Sequence, residues 1–415
     1  MSDPLDYPGL ARQVVERCRK IASFTDDPGV TTRTFLGQAA KSCHRYLSNW
    51  MNRIGMDVET DAVGNLRGLY AGSTSAGKRL LIGSHLDTVP NAGAFDGVLG
   101  VVIGIALVEA LGGERLPFAV EVIGFSDEEG VRFGVPFLGS RALAGSLDED
   151  TLALKDRENL SVKQAIRAFG LDPSELGKAA LTTAAGAYLE FHIEQGPVLE
   201  SLRLPLGVVT VIAGQSRVLA IFRGKAAHAG TTPMPVRQDA LCAAAEWITL
   251  VEREARGTDG LVATVGAIQT RPGVANVVPG EVSATLDVRH FSDEIRRRAT
   301  ARLLESAQTI VCQRGVGCEF ETLIDQRAVP MNETLTRMAE AALQSTGTVP
   351  HRMTSGAGHD AMILAPRLPS AMIFLRSPGG VSHHPDETVQ EEDVAIALRA
   401  GSQLLQDFRK CPFLI

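Results

Sequence analysis

The chain is poor in the features that mark several large protein classes. Its six cysteines, Cys18, Cys43, Cys242, Cys312, Cys318 and Cys411, form no C-x-x-C pair, so no cysteine-based redox motif or thiolate metal site is readable. The formal net charge is −7 with no block of like charges, which excludes the basic footprint of a nucleic-acid binder. The longest apolar run, LGVVIGIALVEAL, is broken by Glu109 and is too short to span a bilayer. A buried helix is expected there, and no membrane association. The opening MSDPLDYPGL has neither a basic n-region nor an apolar h-region, so the chain reads as cytoplasmic. Short-period repeats and low-complexity tracts are missing as well.

What is present is ordinary globular composition. The chain has 415 residues, 45% hydrophobic and 21% charged, enough for two domains with full cores. Residues 8–24 and 34–54 place apolar positions three and four apart, which predicts two amphipathic helices. Runs dense in β-formers follow: KRLLIGSHLD, PFAVEVIGFSDEEG, AYLEFHIEQG and SAMIFLRSPGG, with a helical pattern, DGVLGVVIGIALVEALGG, between the first two. Strands alternating with helices, several apolar throughout, predict an α/β fold whose mostly parallel central sheet is covered on both faces. From about Ile212 the texture changes to a β-α-β-β-α-β order, with helices over Arg237–Ala255 and SDEIRRRATARLLESAQTIVCQ and a last strand EFETLI. This predicts a ferredoxin-like α+β domain, residues 212–326, inserted into a catalytic domain made of residues 1–211 and 327–415.

Ligands of open α/β sheets collect beyond the carboxyl ends of the strands. The histidines and acids of this chain fall there: RLLIGS leads to His85 and Asp87, VEVIGFS to Asp127, Glu128 and Glu129, AYLEF to His192 and Glu194, and AMIFLRS to His383 and His384. A mixed imidazole and carboxylate set without cysteine suits a catalytic site for a borderline divalent cation such as zinc, manganese, cobalt or nickel. Two such ions need a shared carboxylate with terminal ligands on each side, and the available residues suffice. A lone strand-end histidine is ordinarily structural, and Glu128 with Glu129 reads equally as a solvated turn. Asp87, two residues after His85, points to the same face and can orient the imidazole. The joint order carries the weight: H-x-D, D-G, E-E-G, H-I-E-Q-G and S-H-H-P, each after a strand.

That order resembles the dinuclear metallohydrolase superfamily of aminoacylases and carboxypeptidases, and within it the hydantoinase and carbamoylase branch. The resemblance spans nearly the whole chain and is carried by GSHLDTVPNAGAFDG, SDEEGVRF, GSRALAG, FHIEQGPVLE, KAAHAGTTPM, RPGVANVVPG, TLDVRH, SGAGHDA and GVSHHPDE. It implies two divalent metal ions per subunit, Mn2+ or Zn2+, with Co2+ or Ni2+ as alternatives. Asp96 is implied as the bridging carboxylate, His85 and His192 as completing one metal site, and Glu129 and His383 as completing the other. Adjacent residues of an extended loop point in opposite directions, so His384 competes with His383; the family's S-H-x-P pattern favours His383. Asp87 is implied to brace His85. Glu128 is implied as the general base, polarising the attacking water and passing the proton to the leaving nitrogen.

The resemblance further implies that His228 stabilises the developing oxyanion in a neighbouring subunit's active site, and hence a homodimer built through the inserted domain, with domain closure during catalysis. Asn276 and Arg289 match the family's substrate contacts, a guanidinium being suited to bidentate capture of a carboxylate. The loop SGAGHD offers backbone amides at Gly356, Ala357 and Gly358 for the same carboxylate, Gln195 and Gln215 are candidates for reading the ureido group, and His359 receives no role. The substrate class implied is a small ureido acid, hydrolysed to ammonia, carbon dioxide and an amine. GQSR, RPGVANVVPG, DVRH and SGAGHD lean towards allantoate, whereas SDEEGVRF and GSRALAG lean towards N-carbamoyl-L-amino acids. Allantoate is the first expectation; N-carbamoyl-β-alanine and ureidoglycolate share the chemistry, and a peptidase or aminoacylase of the wider superfamily is a further alternative. A catalytically dead binding protein is opposed by the complete set of expected positions.

Overall fold

The computed structural model describes residues 5–74 and 78–410; Met1–Pro4, where the reading of the amino terminus begins, and Cys411 lie outside the described residues. The chain divides into two compact units: one runs up to Thr210 and resumes at Pro330, and the other is Val211–Val329 between them.

The first unit is built on a sheet of nine strands. Their order is Asp57–Thr60, Leu66–Tyr70, Ala119–Phe125, Arg79–His85, Ala185–Ile193, Ser370–Leu375, Leu206–Ile212 and Val329–Pro330, with Arg352–Ser355 also paired to Leu206–Ile212. The four strands from Ala119–Phe125 to Ser370–Leu375 run parallel, while Leu66–Tyr70 and Leu206–Ile212 attach to them antiparallel. Nearly every residue of the four is buried. That explains their continuous apolar character, because a parallel strand covered on both faces has no polar side.

Helices supply the cover. Tyr7–Ala22 begins where the Asp6 carboxylate accepts the Gly9 amide at 3.0 Å, and buries Ala11, Val14, Val15, Cys18 and Ile21 at helical spacing. Val98–Ala110 is buried from Val98 to Val108 and packs on Arg79–His85, on Tyr7–Ala22 and on the long final helix Glu391–Lys410. Being enclosed, it needs no polar face, and Glu109 near its end accepts the Trp50 indole N–H at 3.1 Å. Two glycines set how closely it lies on the sheet. A Cβ on Gly100 would sit 2.1 Å from the Phe191 carbonyl oxygen and 2.8 Å from Ser84 Cβ, and one on Gly104 3.1 Å from Ile82 Cγ2. Among the described residues, no helix is long and apolar enough to cross a membrane.

The second unit has a four-stranded antiparallel sheet in the order Gly317–Gln326, Gly214–Arg223, Glu281–His290, Val262–Arg271. Helices Ala240–Arg256 and Asp293–Arg314 complete a β-α-β-β-α-β succession of the ferredoxin-like kind. The two central strands alternate buried and half-buried residues along their length. Their inner faces join Trp247 and Leu303 from the helices in a core of their own, around Val218, Phe222, Val282 and Leu286.

Gly100→Ala is expected to lower stability by about 1–3 kcal/mol through overpacking, because the atom it strikes belongs to the Phe191 backbone and cannot rotate away. Urea denaturation with the midpoint as readout checks this; an unchanged midpoint contradicts it.

Candidate metal centre

The parallel register brings the strand ends level. His85 ends its strand opposite Phe125, and His192, next to the last residue of its own strand, pairs with Phe374. The loops leaving these strands carry Asp96, Glu128, Glu129 and His383 to the same edge of the sheet. Two groups of donors form there: His85, His192 and Asp96, and Asp96, Glu129 and His383. A third grouping joins His85 to Glu128 and Glu129, and a fourth consists of Glu190, His192 and His359.

In the first group the imidazole tautomers follow from their partners. His85 Nδ1 lies 3.0 Å from the Asp87 carbonyl oxygen, and His192 Nδ1 lies 2.9 Å from the Ile193 carbonyl oxygen. A carbonyl only accepts, so each Nδ1 carries the proton and each Nε2 presents a bare lone pair. Those two Nε2 atoms face one another at 3.4 Å, and stand 3.6 Å and 3.2 Å from Asp96 Oδ1. With both rings neutral, three acceptors converge with no donor among them, and Asp96 Oδ1 is buried without a hydrogen-bond partner among the described residues. Such an arrangement is unfavourable unless a cation sits in its middle. Metal–ligand bonds of about 2.0–2.2 Å in tetrahedral geometry give ligand separations of about 3.3–3.6 Å, which is the spacing found.

The second group uses the other oxygen of the same carboxylate. His383 Nε2 lies 3.3 Å from Asp96 Oδ2 and 3.3 Å from Glu129 Oε1. These two acids push the His383 imidazole up to about 10, showing how strongly the place attracts positive charge. His383 holds a left-handed backbone conformation, φ 56°, and is itself exposed. His384, also exposed, accepts the Asp386 amide through Nδ1 at 3.2 Å. One carboxylate thus addresses both groups, each with two further side chains that could serve as ligands.

Glu128 is buried against this centre. Burial first, then the nearby charges of Glu129, Asp360 and Asp87, push its carboxyl well above the usual range, while His85 opposes the shift. Asp87 Oδ1 accepts the Glu128 amide at 2.9 Å and Asp87 Oδ2 the Glu129 amide at 3.1 Å, so this carboxylate fixes the turn that carries both glutamates. Its oxygen is 3.5 Å from His85 Nδ1, farther than the residue's own carbonyl. Asp87 thus meets the His85 ring through both its carbonyl and its carboxylate.

Several other residues take places that spacing could not foretell. Gln195, at φ 58°, gives its Nε2 to Asp96 Oδ2 at 2.9 Å and to Ser382 Oγ at 3.2 Å, while its Oε1 has no hydrogen-bond partner among the described residues. Glu194 caps the short helix Val198–Leu202, accepting the Val198 and Leu199 amides at 2.7 Å and 2.9 Å. His359 packs its ring 4.4 Å from that of His192 and meets Ser355 Oγ through Nε2 at 2.9 Å; burial first, then the neighbouring His192, hold its pKa well below the usual range. In the SGAGHD loop the Ala357 amide is already taken by Ser355 Oγ at 3.2 Å, which leaves it engaged within the loop, and a Cβ on Gly358 would strike Phe137.

In the second unit, His228 Nδ1 accepts the amides of Gly230 and Thr231, each at 3.2 Å, so the proton of the neutral ring is on Nε2 and that exposed edge donates. His228 is paired with Val277, and the Ala229 amide reaches the Asn276 carbonyl at 2.9 Å, which holds His228 and Asn276 side by side. Arg289 and Gln215 are register partners on neighbouring strands. Both converge on Asp287: Arg289 Nε at 2.9 Å, Gln215 Nε2 at 2.5 Å and, in addition, Arg217 at 2.9 Å. Asp287 and Arg217 escaped the sequence reading, although their two-residue spacing from Arg289 and Gln215 puts each pair on one sheet face.

A doubly wound sheet with imidazoles and carboxylates paired around one shared aspartate defines a metal-dependent hydrolase with a site for two divalent cations. The sequence pattern of the peptidase family M20/M25/M40 matches residues 81–407, and the chain belongs to that family and is a hydrolase of carbon–nitrogen bonds. It is 41% identical to an N-carbamoyl-L-amino acid amidohydrolase of Geobacillus stearothermophilus over 89% of this chain and 90% of that one. It is 38% identical to a probable allantoate deiminase of Oryza sativa subsp. japonica, over 93% and 86% respectively. Among solved structures, a hydantoinase/carbamoylase family amidase from Burkholderia multivorans superposes with a TM-score of 0.89 at 30% identity, covering 97% of this chain and 98% of that one.

His85→Ala and His192→Ala each remove one donor from the first group, and each is expected to lower divalent-metal affinity by about 10-fold or more. Metal content after dialysis against buffered free Zn2+ or Mn2+ reads this directly; full retention by both variants removes the assignment.

Proposed function

We propose that the protein is an amidohydrolase of small ureido acids, acting on a carbon–nitrogen bond other than a peptide bond, with allantoate as its substrate. The observation that carries the hydrolytic reading is Asp96, whose two oxygens address two donor groups beside a buried carboxylic acid, Glu128. His85, His192, Asp96, Glu129 and His383 would hold divalent cations, whose chemistry would be to supply Lewis acidity and lower the pKa of the attacking water. Glu128 takes the proton of the attacking water and delivers it to the departing nitrogen, so that the carbon–nitrogen bond breaks as ammonia leaves. The carbamate left behind loses carbon dioxide to give the amine. Burial that raises the Glu128 carboxyl fits a group that must both accept and return a proton.

The substrate contacts are read from the second unit and the glycine loop. His228, donating from Nε2, is suited to an oxyanion; Arg289 and Asn276, with Gln215, are suited to the carboxylate; Gly356 and Ala357 border the same function in the SGAG loop. We further propose that the working form is a homodimer built through the inserted unit, and that the enzyme acts in the cytoplasm with Mn2+ or Zn2+. A second substrate reading, N-carbamoyl-L-amino acids, is favoured by the 41% identity to the Geobacillus enzyme of that name.

Ammonia release by manganese- or zinc-loaded protein, measured with allantoate and with N-carbamoyl-L-amino acids side by side, separates the two. Allantoate turnover exceeding the others by about 10-fold in kcat/KM, or ~1.4 kcal/mol, supports the first reading, and the reverse order replaces it with the second. Glu128→Gln is expected to keep its metal and lose at least about 100-fold in kcat, a general base contributing on that order; normal turnover with full metal content would falsify its role.

A further inference from the structure

The last residue of GVSHHPDE, Glu387, belongs to neither donor group, yet it is buried to 4% exposure beside them. Its Oε1 accepts the amide of Phe95 at 2.8 Å and the amide of Asp96 at 2.9 Å. One oxygen therefore holds two consecutive amides of the loop that presents the bridging carboxylate, from almost three hundred positions further along the chain. Its Oε2 stands 3.4 Å from Ser382 Oγ, and Ser382 Oγ is 2.9 Å from Asp96 Oδ2. A hydroxyl has one proton, and the shorter contact places it on Asp96. Room for this clamp is provided by Gly93, where a Cβ would lie 2.4 Å from Glu387 Cβ. Asp96 is thus gripped at its backbone by Glu387 and at Oδ2 by Ser382 together with Gln195, which leaves Oδ1 aimed at the two histidines.

We propose that Glu387, acting with Ser382, is a positioning residue that sets the rotation of the Asp96 carboxylate and so makes both metal positions available at once. The proposal concerns metal binding alone and is independent of which ureido acid the enzyme uses. A residue that only filled space would be replaced equally well by any side chain of its size, methionine included, whereas this clamp needs an acceptor oxygen for two amides, which glutamine keeps and methionine lacks. Glutamine in place of Glu387 keeps an oxygen for the two amides and turns its NH2 group to Ser382 Oγ, a hydroxyl that also accepts.

The test is titration of the full-length, chelator-stripped protein with Zn2+ by calorimetry, with circular dichroism as the check on folding. Glu387→Ala is expected to weaken binding by about 10-fold or more and to drop the stoichiometry from two ions per chain towards one, while Glu387→Gln stays within about threefold of the unaltered chain. Two ions bound at unaltered affinity by Glu387→Ala overturns the proposal, and so does a glutamine variant as defective as the alanine one. Should the alanine variant not fold, Ser382→Ala removes one of the two donors to Asp96 Oδ2, leaving Gln195 Nε2 and the amide clamp in place. Weaker binding at one of two ions supports the proposal, and unaltered titration overturns it.

Discussion

The two oxygens of Asp96 are the constraint on which the rest of the molecule converges. Each belongs to a different donor group, so the carboxylate has to be held in one rotation while its surroundings come from loops after four separate strands. A parallel sheet answers this requirement because all four strands end at one edge, and the register of His85 with Phe125 and of His192 with Phe374 brings those ends level. Gly100 and Gly104 let the helix behind the site lie close on the sheet. Gly97, at φ 68°, adds a further local demand: a Cβ there would sit 2.4 Å from the His85 ring.

Electrostatics explains why such a site is unstable as a collection of protein groups alone. Asp87, Asp96, Glu128, Glu190 and Asp360 are all buried. Burial drives Glu128 and Asp360 well above the usual carboxylate range, and like charges nearby reinforce the effect. Asp96 moves the other way, well below its usual range, because burial is outweighed by His192, His383 and His85 around it. The same potential that drives acids to hold protons favours divalent cations. Fixed amides reduce the remaining strain: Asp87 takes those of Glu128 and Glu129, Glu194 those of Val198 and Leu199, and Glu387 those of Phe95 and Asp96.

The second unit repeats this logic on a smaller scale. His228 is held in one tautomer by two backbone amides, and Asp287 gathers Arg289, Arg217 and Gln215 on one face of the antiparallel sheet. Burial opposes the charge on Asp287, yet the two guanidiniums hold its carboxyl below the usual range. Polar side chains that would otherwise sample many rotamers are therefore ordered before any ligand arrives, which lowers the entropy to be lost on binding.

By itself the sequence determined the alternation of strands and helices, the insertion of a β-α-β-β-α-β segment, and the residue types that gather at strand ends. These are local properties: apolar periodicity reports which faces are buried, and the order of short motifs such as H-I-E-Q-G and S-H-H-P reports chemistry at fixed spacing. Tertiary structure alone decided which atoms meet. It brought His383 against Asp96 and His384 against the Asp386 amide, moved the Gln195 amide onto Asp96, engaged the Ala357 amide within its own loop, and tied Glu387 to a loop far away in the chain. Side-chain rotation and the choice of hydrogen-bond partner depend on neighbours distant in sequence, and no spacing within one segment encodes them.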